Sequence, residues 1–191
     1  MHIVRLSIYH SRCILLSTKT GLTIFMKEKN FSTSYAVRKL HNSDVSIVLD
    51  LCRGNSAYYK LCPPQACAET VMWDMTALPP DKTDSDKYFV GYFSREELVA
   101  VLDLIADYPT RGTAFVGLLM VDASKQKRGV GSKIVDELVS YLKTAGVDAI
   151  RLAWVSGNVS AQKFWQKHGF AVVGQTADTE GRTVVVAERK L

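Results

Sequence analysis

Cysteine is scarce in this chain. Cys13, Cys52, Cys62 and Cys67 are the whole complement, with no C-x-x-C pair and no Cys/His cluster at zinc-site spacing. A disulfide scaffold and a metal site are therefore not expected, and a chain of 191 residues can bury an adequate core without staples. Reduced thiols in a cytoplasmic protein are the plain expectation. Long apolar runs are missing as well: the longest, residues 114–121 with Gly117 counted in, has eight residues, against the roughly 18 that a spanning helix needs. No membrane partner is expected. Internal repeats and low-complexity tracts are absent.

Acidic residues are missing from the first 27 positions. Residues 1–30 carry Arg5, Arg12, Lys19, Lys27 and Lys29 against Glu28 alone, which accounts for four of the five net positive charges of the chain. Residues 31–191 are close to neutral. A nucleic-acid partner, which would want basic residues clustered on the folded surface, is not expected. The first 30 residues show neither a 2.0 nor a 3.6 period and are expected to lie outside the fold. A transit-like segment fits their composition, a secretory signal fits badly because its apolar centre is short, and an upstream start with Met26 as the true initiator is the preferred reading.

The body, residues 34–191, reads as one domain. Residues 34–40 alternate like a half-buried strand, and Val45, Val48, Leu49 and Cys52 then repeat at helical spacing up to Gly54. A second helix is predicted to start at Pro63 or Pro64. Strand-like runs follow at 87–93, 98–106 and 113–121, with connections short enough for hairpins. A wide apolar helical face spans 132–145 and ends at Gly146. A strand at 149–155, a helix from about 160 to 168, and strands at 170–175 and 182–189 complete the order β-α-α-β-β-β-α-β-α-β-β.

One strand-to-helix junction carries chemistry. Gln126-x-x-Gly129-x-Gly131 joins the strand ending at Val121 to the helix that follows, so several free backbone N–H groups and the helix dipole point at one spot. Glycine lets a ligand approach that backbone closely. The ligand implied is a phosphate or diphosphate. A Rossmann fingerprint is excluded because Ile134 stands where a third glycine belongs, and the P-loop pattern G-x-x-x-x-G-K-[ST] is absent. Taken alone, the two glycines fit a plain tight turn with no ligand better.

A second cluster, Asn158-x-x-Ala161-x-x-Phe164-Trp165-x-x-His168-Gly169-Phe170, stands one strand after the helix. Together the two segments resemble the GNAT superfamily of acetyl-CoA-dependent N-acetyltransferases, in the order and separation of both motifs and in element order over about residues 34–191. The resemblance implies an α/β (α+β-like) fold with a central mixed, mostly antiparallel seven-stranded sheet and helices on both faces. It also implies acetyl transfer from acetyl-CoA to a primary amine by direct attack in a ternary complex.

Residue by residue, the resemblance implies that backbone groups of Leu119 and Val121 pair with the pantetheine arm. The backbone of Gln126, Lys127, Arg128, Gly129, Val130, Gly131 and Ser132 would hold the pyrophosphate, with positive charge from Lys127 and Arg128. Asn158 would hydrogen-bond the cofactor arm and Phe164 would pack beside it, although an N-cap and a core ring are the plain readings of that pair. Trp165 stands where the family frequently has a tyrosine that protonates the leaving thiolate, and an indole N–H is no practical proton donor. Asp103, a carboxylate within an apolar strand, is either a general base at the acceptor site or a buried acid holding a loop or a cation. Asp107 and Tyr108 are candidates for lining the acceptor side. The acceptor is expected to be a small-molecule amine or a peptide amine, and a homodimer is compatible with the pattern. The alternative is a CoA-binding module with weak or no transfer activity.

Overall fold

The computed structural model of the protein describes residues 26–178 and 180–191. Seven strands, β1 (Ala36–Lys39), β2 (Lys87–Ser94), β3 (Glu97–Ile105), β4 (Thr113–Val121), β5 (Ala149–Val155), β6 (Ala171–Ala177) and β7 (Thr183–Lys190), form one sheet in the order β1-β2-β3-β4-β5-β7-β6. Every neighbouring pair is antiparallel except β4 and β5. Helices α1 (Val45–Gly54), α2 (Ser56–Leu61) and α3 (Ala68–Thr76) precede β2, while α4 (Val130–Thr144) follows β4 and α5 (Val159–Lys167) follows β5. This is the mixed, mostly antiparallel α/β sheet expected from the sequence.

The continuous apolar run in β4 has a simple cause: all nine of its residues are buried, because helices cover both of its faces. Leu118 and Met120 pack with Val48, Leu51, Tyr58, Val71 and Met75 under α1–α3. Leu119 and Val121 pack with Ile134, Leu138, Leu142 and Trp165 of α4 and α5.

Two expectations change. The helix predicted from Pro63 or Pro64 starts instead at Ala68, where the Cys67 N–H donates to Thr70 Oγ1 at 3.0 Å, and an additional short helix, α2, buries Tyr58 and Tyr59. The fold also reaches further back than residue 34. Met26 and Phe31 are buried, Phe31 lies 5.6 and 5.5 Å from the rings of Tyr88 and Tyr141, and the Lys27 N–H donates to Tyr141 Oη at 2.8 Å. Glu137 of α4 then ties the chain down by accepting from the hydroxyls of Ser32, Thr33 and Ser34 and from the Thr33 N–H. Burial opposes the charge on Glu137, but these hydrogen bonds outweigh it and hold the carboxyl down at about 2. Residues 26–34 thus pack against the sheet and α4, and residues 1–25 lie outside the described residues.

Candidate functional site

The site begins as a defect in the sheet. Leu104 pairs with Val116 and Asp103 with Leu118, so Gly117 is the extra residue of a bulge in β4. The ladder between β4 and β5 runs from Thr113↔Ala149 to Val116↔Leu152 and stops at that bulge. Beyond it, residues 117–121 and 153–155 are no longer paired to each other. The Asp122 N–H donates to the Val99 carbonyl at 2.9 Å. In an antiparallel ladder the direction of the backbone groups alternates, so Leu119 and Val121 turn theirs away from β3 and toward this gap. The Val121 carbonyl already accepts from Gln126 Nε2 at 3.0 Å and Asn55 Nδ2 at 3.2 Å.

The loop leaving β4 closes one end of the gap. Asp122 caps a single 3-10 turn by accepting from the Ser124 N–H at 2.8 Å. Gln126 then folds its side chain inward, donating to Asn55 Oδ1 at 2.6 Å, while Lys127 and Gly129 adopt left-handed backbone with φ +59° and +85°. Left-handed residues curl successive N–H groups toward one side. A Cβ on Gly129 would meet no protein atom within 4 Å, so glycine is required there by backbone conformation, not by packing. Gly129 offers α4 no side-chain cap, and the Lys133 N–H is the one that reaches the Gly129 carbonyl, at 2.9 Å. The N–H groups of Val130, Gly131 and Ser132 are thus left at the open start of α4. By contrast α5 is capped from within, because Asn158 Oδ1 accepts from the Ala161 N–H at 3.0 Å.

These groups border a cavity of about 210 Å³ lined by Val121, Gln126, Lys127, Gly129, Gly131, Ser132, Ser160 and Phe164. No carboxylate is among the lining residues, and Lys127 supplies a positive charge. An anion is the ligand this lining favours. Phe164 forms one wall and meets Trp165 edge-on, with ring centroids 5.0 Å apart. Trp165 is fully buried against Phe170, and its Nε1 has no hydrogen-bond acceptor among the described residues. It is a packing ring.

Comparison with known proteins decides what this arrangement belongs to. The model of the acetyltransferase (GNAT) family matches residues 55–170, which contain the bulge, the loop and all of α5. The chain is a GNAT acetyltransferase. It is therefore an acyltransferase, and both motifs read from the sequence lie inside the matched region. Among solved structures, an acetyltransferase from Thermus thermophilus is similar at TM-score 0.69 and 22% identity, over 83% of this chain and 97% of that one. The ribosomal-protein-S18-alanine N-acetyltransferase from Escherichia coli is similar at TM-score 0.59 and 14% identity, over 81% and 92% of the two chains. A Bacillus subtilis acetyltransferase in complex with CoA is similar at TM-score 0.50 and 20% identity, over 56% and 79%. At these identities the likeness is one of fold. A search of curated proteins gave no match.

The residues expected at the acceptor site make contacts of their own. Asp103 is 3% exposed, and its Oδ1 is 2.8 Å from Lys87 Nζ, which also donates to the Ala77 carbonyl at 2.8 Å. Burial pushes the Asp103 carboxyl up to about 6, against the pull of Lys87. Of the two readings of Asp103, the buried acid holding a cation is the one the geometry supports. Asp107 has left-handed backbone (φ +53°) and accepts from the Gly112 N–H at 2.8 Å, and Tyr108 packs edge-on against Phe115 at 5.5 Å. Both belong to the β3–β4 turn, at the end of β4 where the strands are still paired, so they do not line the gap.

Several residues were not singled out from the sequence. Gly117 had a signal, since an isolated glycine inside a strand pattern marks a bulge or a close approach. Asn55 had none, because its bonds to Gln126 and Val121 span 71 and 66 residues. Ser160 also had none, because only the packing of α5 beside the loop brings it to the cavity.

Proposed function

We propose that this GNAT enzyme transfers the acetyl group of acetyl-CoA to a primary amine, small-molecule or peptidyl, in a ternary complex. The observation that carries the proposal is the uncapped start of α4 behind left-handed Lys127 and Gly129, facing a carboxylate-free cavity at the mouth of the β4/β5 gap. The residues present suit the co-substrate: a cavity of about 210 Å³ is smaller than the roughly 300–1,000 Å³ of a typical small-molecule site, as befits one that takes a diphosphate while the remainder of a long ligand lies in the gap.

Acetyl-CoA would supply the activated thioester. The Gln126 N–H is engaged by the Ala123 carbonyl at 3.4 Å, the backbone N–H groups from Lys127 to Ser132 hold the diphosphate, Lys127 and Arg128 add charge, and the groups of Leu119 and the Val121 N–H orient the pantetheine arm. Phe164 excludes water from one wall, and Asn158 fixes the start of α5 beside the arm. Fixing both reactants in one geometry supplies a large part of the rate. Asp103 is held by Lys87 and Trp165 carries no transferable proton, so proton transfer in this reading runs through water. A cytoplasmic setting suits Cys52, Cys62 and Cys67, which form no disulfide among the described residues, and no helix among the described residues is long and apolar enough to cross a membrane.

The test is release of CoA thiol from acetyl-CoA in the presence of polyamines, amino acids, aminoglycosides and short peptides. Acceptor-dependent release with one class is the expected result. Binding of acetyl-CoA with no release for any amine would leave a CoA-binding module.

A further inference from the structure

Ser132, in the first turn of α4, is one end of a chain of three side chains. His168 Nε2 lies 3.1 Å from Ser132 Oγ, and His168 Nδ1 lies 3.1 Å from Asp136 Oδ1, one helical turn further along α4. The His168 side chain is 6% exposed, whereas Asp136 stands in solvent. We propose that His168 is a positioning residue for the diphosphate site, which it serves by setting the direction of the Ser132 hydroxyl and coupling ligand binding to uptake of a proton. The proposal rests on the diphosphate reading above.

Donor and acceptor chemistry fixes the roles. The Asp136 carboxylate can only accept, so Nδ1 carries the proton on that side. In the neutral ring Nε2 then has a lone pair, Ser132 Oγ–H donates to it, and the hydroxyl shows lone pairs to the cavity. A diphosphate oxygen there is met by repulsion. In the imidazolium, Nε2–H donates to Ser132 Oγ, and the hydroxyl proton is released to point at the cavity. A bound diphosphate therefore selects the protonated ring, and binding draws a proton from solution.

Asp136 and Ser132 of α4 are the groups that face the two ring nitrogens. From its own helix, His168 closes α5, and its N–H reaches the Trp165 carbonyl at 3.0 Å. From β7, the Arg189 guanidinium is occupied at the His168 carbonyl, Nη1 to O 2.7 Å. The Phe164 ring lies 4.5 Å from the imidazole centroid, and the sequence neighbours Lys133 and Lys167 are exposed. His41, the other histidine among the described residues, lies ahead of α1 and does not line the cavity.

The experiment is titration calorimetry with dephospho-CoA, whose diphosphate does not change charge between pH 6 and 8, in two buffers of different ionisation enthalpy. Histidine changes charge in this range. The wild type is expected to bind roughly fivefold more tightly at pH 6 than at pH 8 and to take up on the order of half a proton near pH 7. Ser132→Ala and His168→Gln should each lose more than half of that uptake, and Ser132→Thr should restore it. Binding by the wild type without proton uptake, or uptake unchanged in Ser132→Ala, overturns this inference and leaves the diphosphate reading standing. Failure of the wild type to bind dephospho-CoA at either pH overturns the diphosphate reading and this inference with it.

Discussion

The two sides of the β4/β5 gap are built from different materials. On the α4 side the polar groups that face the cavity are backbone N–H donors, exposed by glycine, by two left-handed residues and by a helix end that no side chain caps. On the α1–α3 side the polar groups are side chains, and the buried carboxylate among them is bound to a buried cation. Backbone groups are available to a ligand wherever the fold leaves them unpaired. A buried charged side chain, in contrast, must find a partner before the protein is stable at all. A short motif can therefore specify the first kind of site, while the second depends on which side chains happen to meet.

The largest effect expected on the backbone side comes from Gly131→Val. A branched side chain on this lining residue displaces the ligand from several N–H donors at once, each bond to a charged group being worth about 1.5–3 kcal/mol. Acetyl-CoA affinity should fall at least about a hundredfold with an unchanged circular dichroism spectrum. Calorimetry showing wild-type affinity in the folded variant would remove this cavity as the binding site.

The side-chain half should answer in stability, not in binding. Asp103→Ala strands the Lys87 ammonium in a site where its side chain is 3% exposed, at a cost of about 3–5 kcal/mol in thermal or urea unfolding. Replacing both partners, as Lys87→Met with Asp103→Leu, should recover most of the loss. If Asp103→Asn instead kept its Tm and lost turnover, the carboxylate would return to the chemistry and the contrast between the two sides would collapse.

Acid should expose a third difference. The Arg38 hydrogen bond holds Asp44 down at about 2, and Glu137 is held at the same level by its hydroxyl and N–H donors. Carboxyls lowered by folding contribute stability above their unfolded values of about 4, and that contribution is lost as pH falls toward 2. Asp103, raised to about 6, acts in the opposite sense. Its contribution is complete below about pH 4 and is lost as pH rises through 6. A Tm profile should show Glu137→Gln lower than wild type by about 2–4 °C at pH 7, converging with it near pH 2. A constant offset at all pH values would mean that Glu137 holds the 32–34 segment by packing alone.

The smallest effect belongs to Trp165→Phe. Its Nε1 has no acceptor among the described residues, so the variant should lose about 1 kcal/mol of packing and keep kcat within about threefold. A much larger fall in kcat at unchanged Tm would assign the indole a chemical role.

What the residues alone determined is what repeats at fixed spacing. The 3.6-residue stripe of α4, the turn punctuated by Gly129 and Gly131, and the Asn158-to-Phe170 cluster all act within a few positions of themselves, so their geometry is local and legible. The bond from Gln126 to Asn55, the pairing of Lys87 with Asp103 and the meeting of His168 with Ser132 were decided only by tertiary structure. Each joins elements across a strand or a helix, from 16 residues apart for Lys87 and Asp103 to 71 for Asn55 and Gln126. No periodicity encodes such distances, and only the closing of the sheet and the docking of the helices brings those atoms within reach of one another.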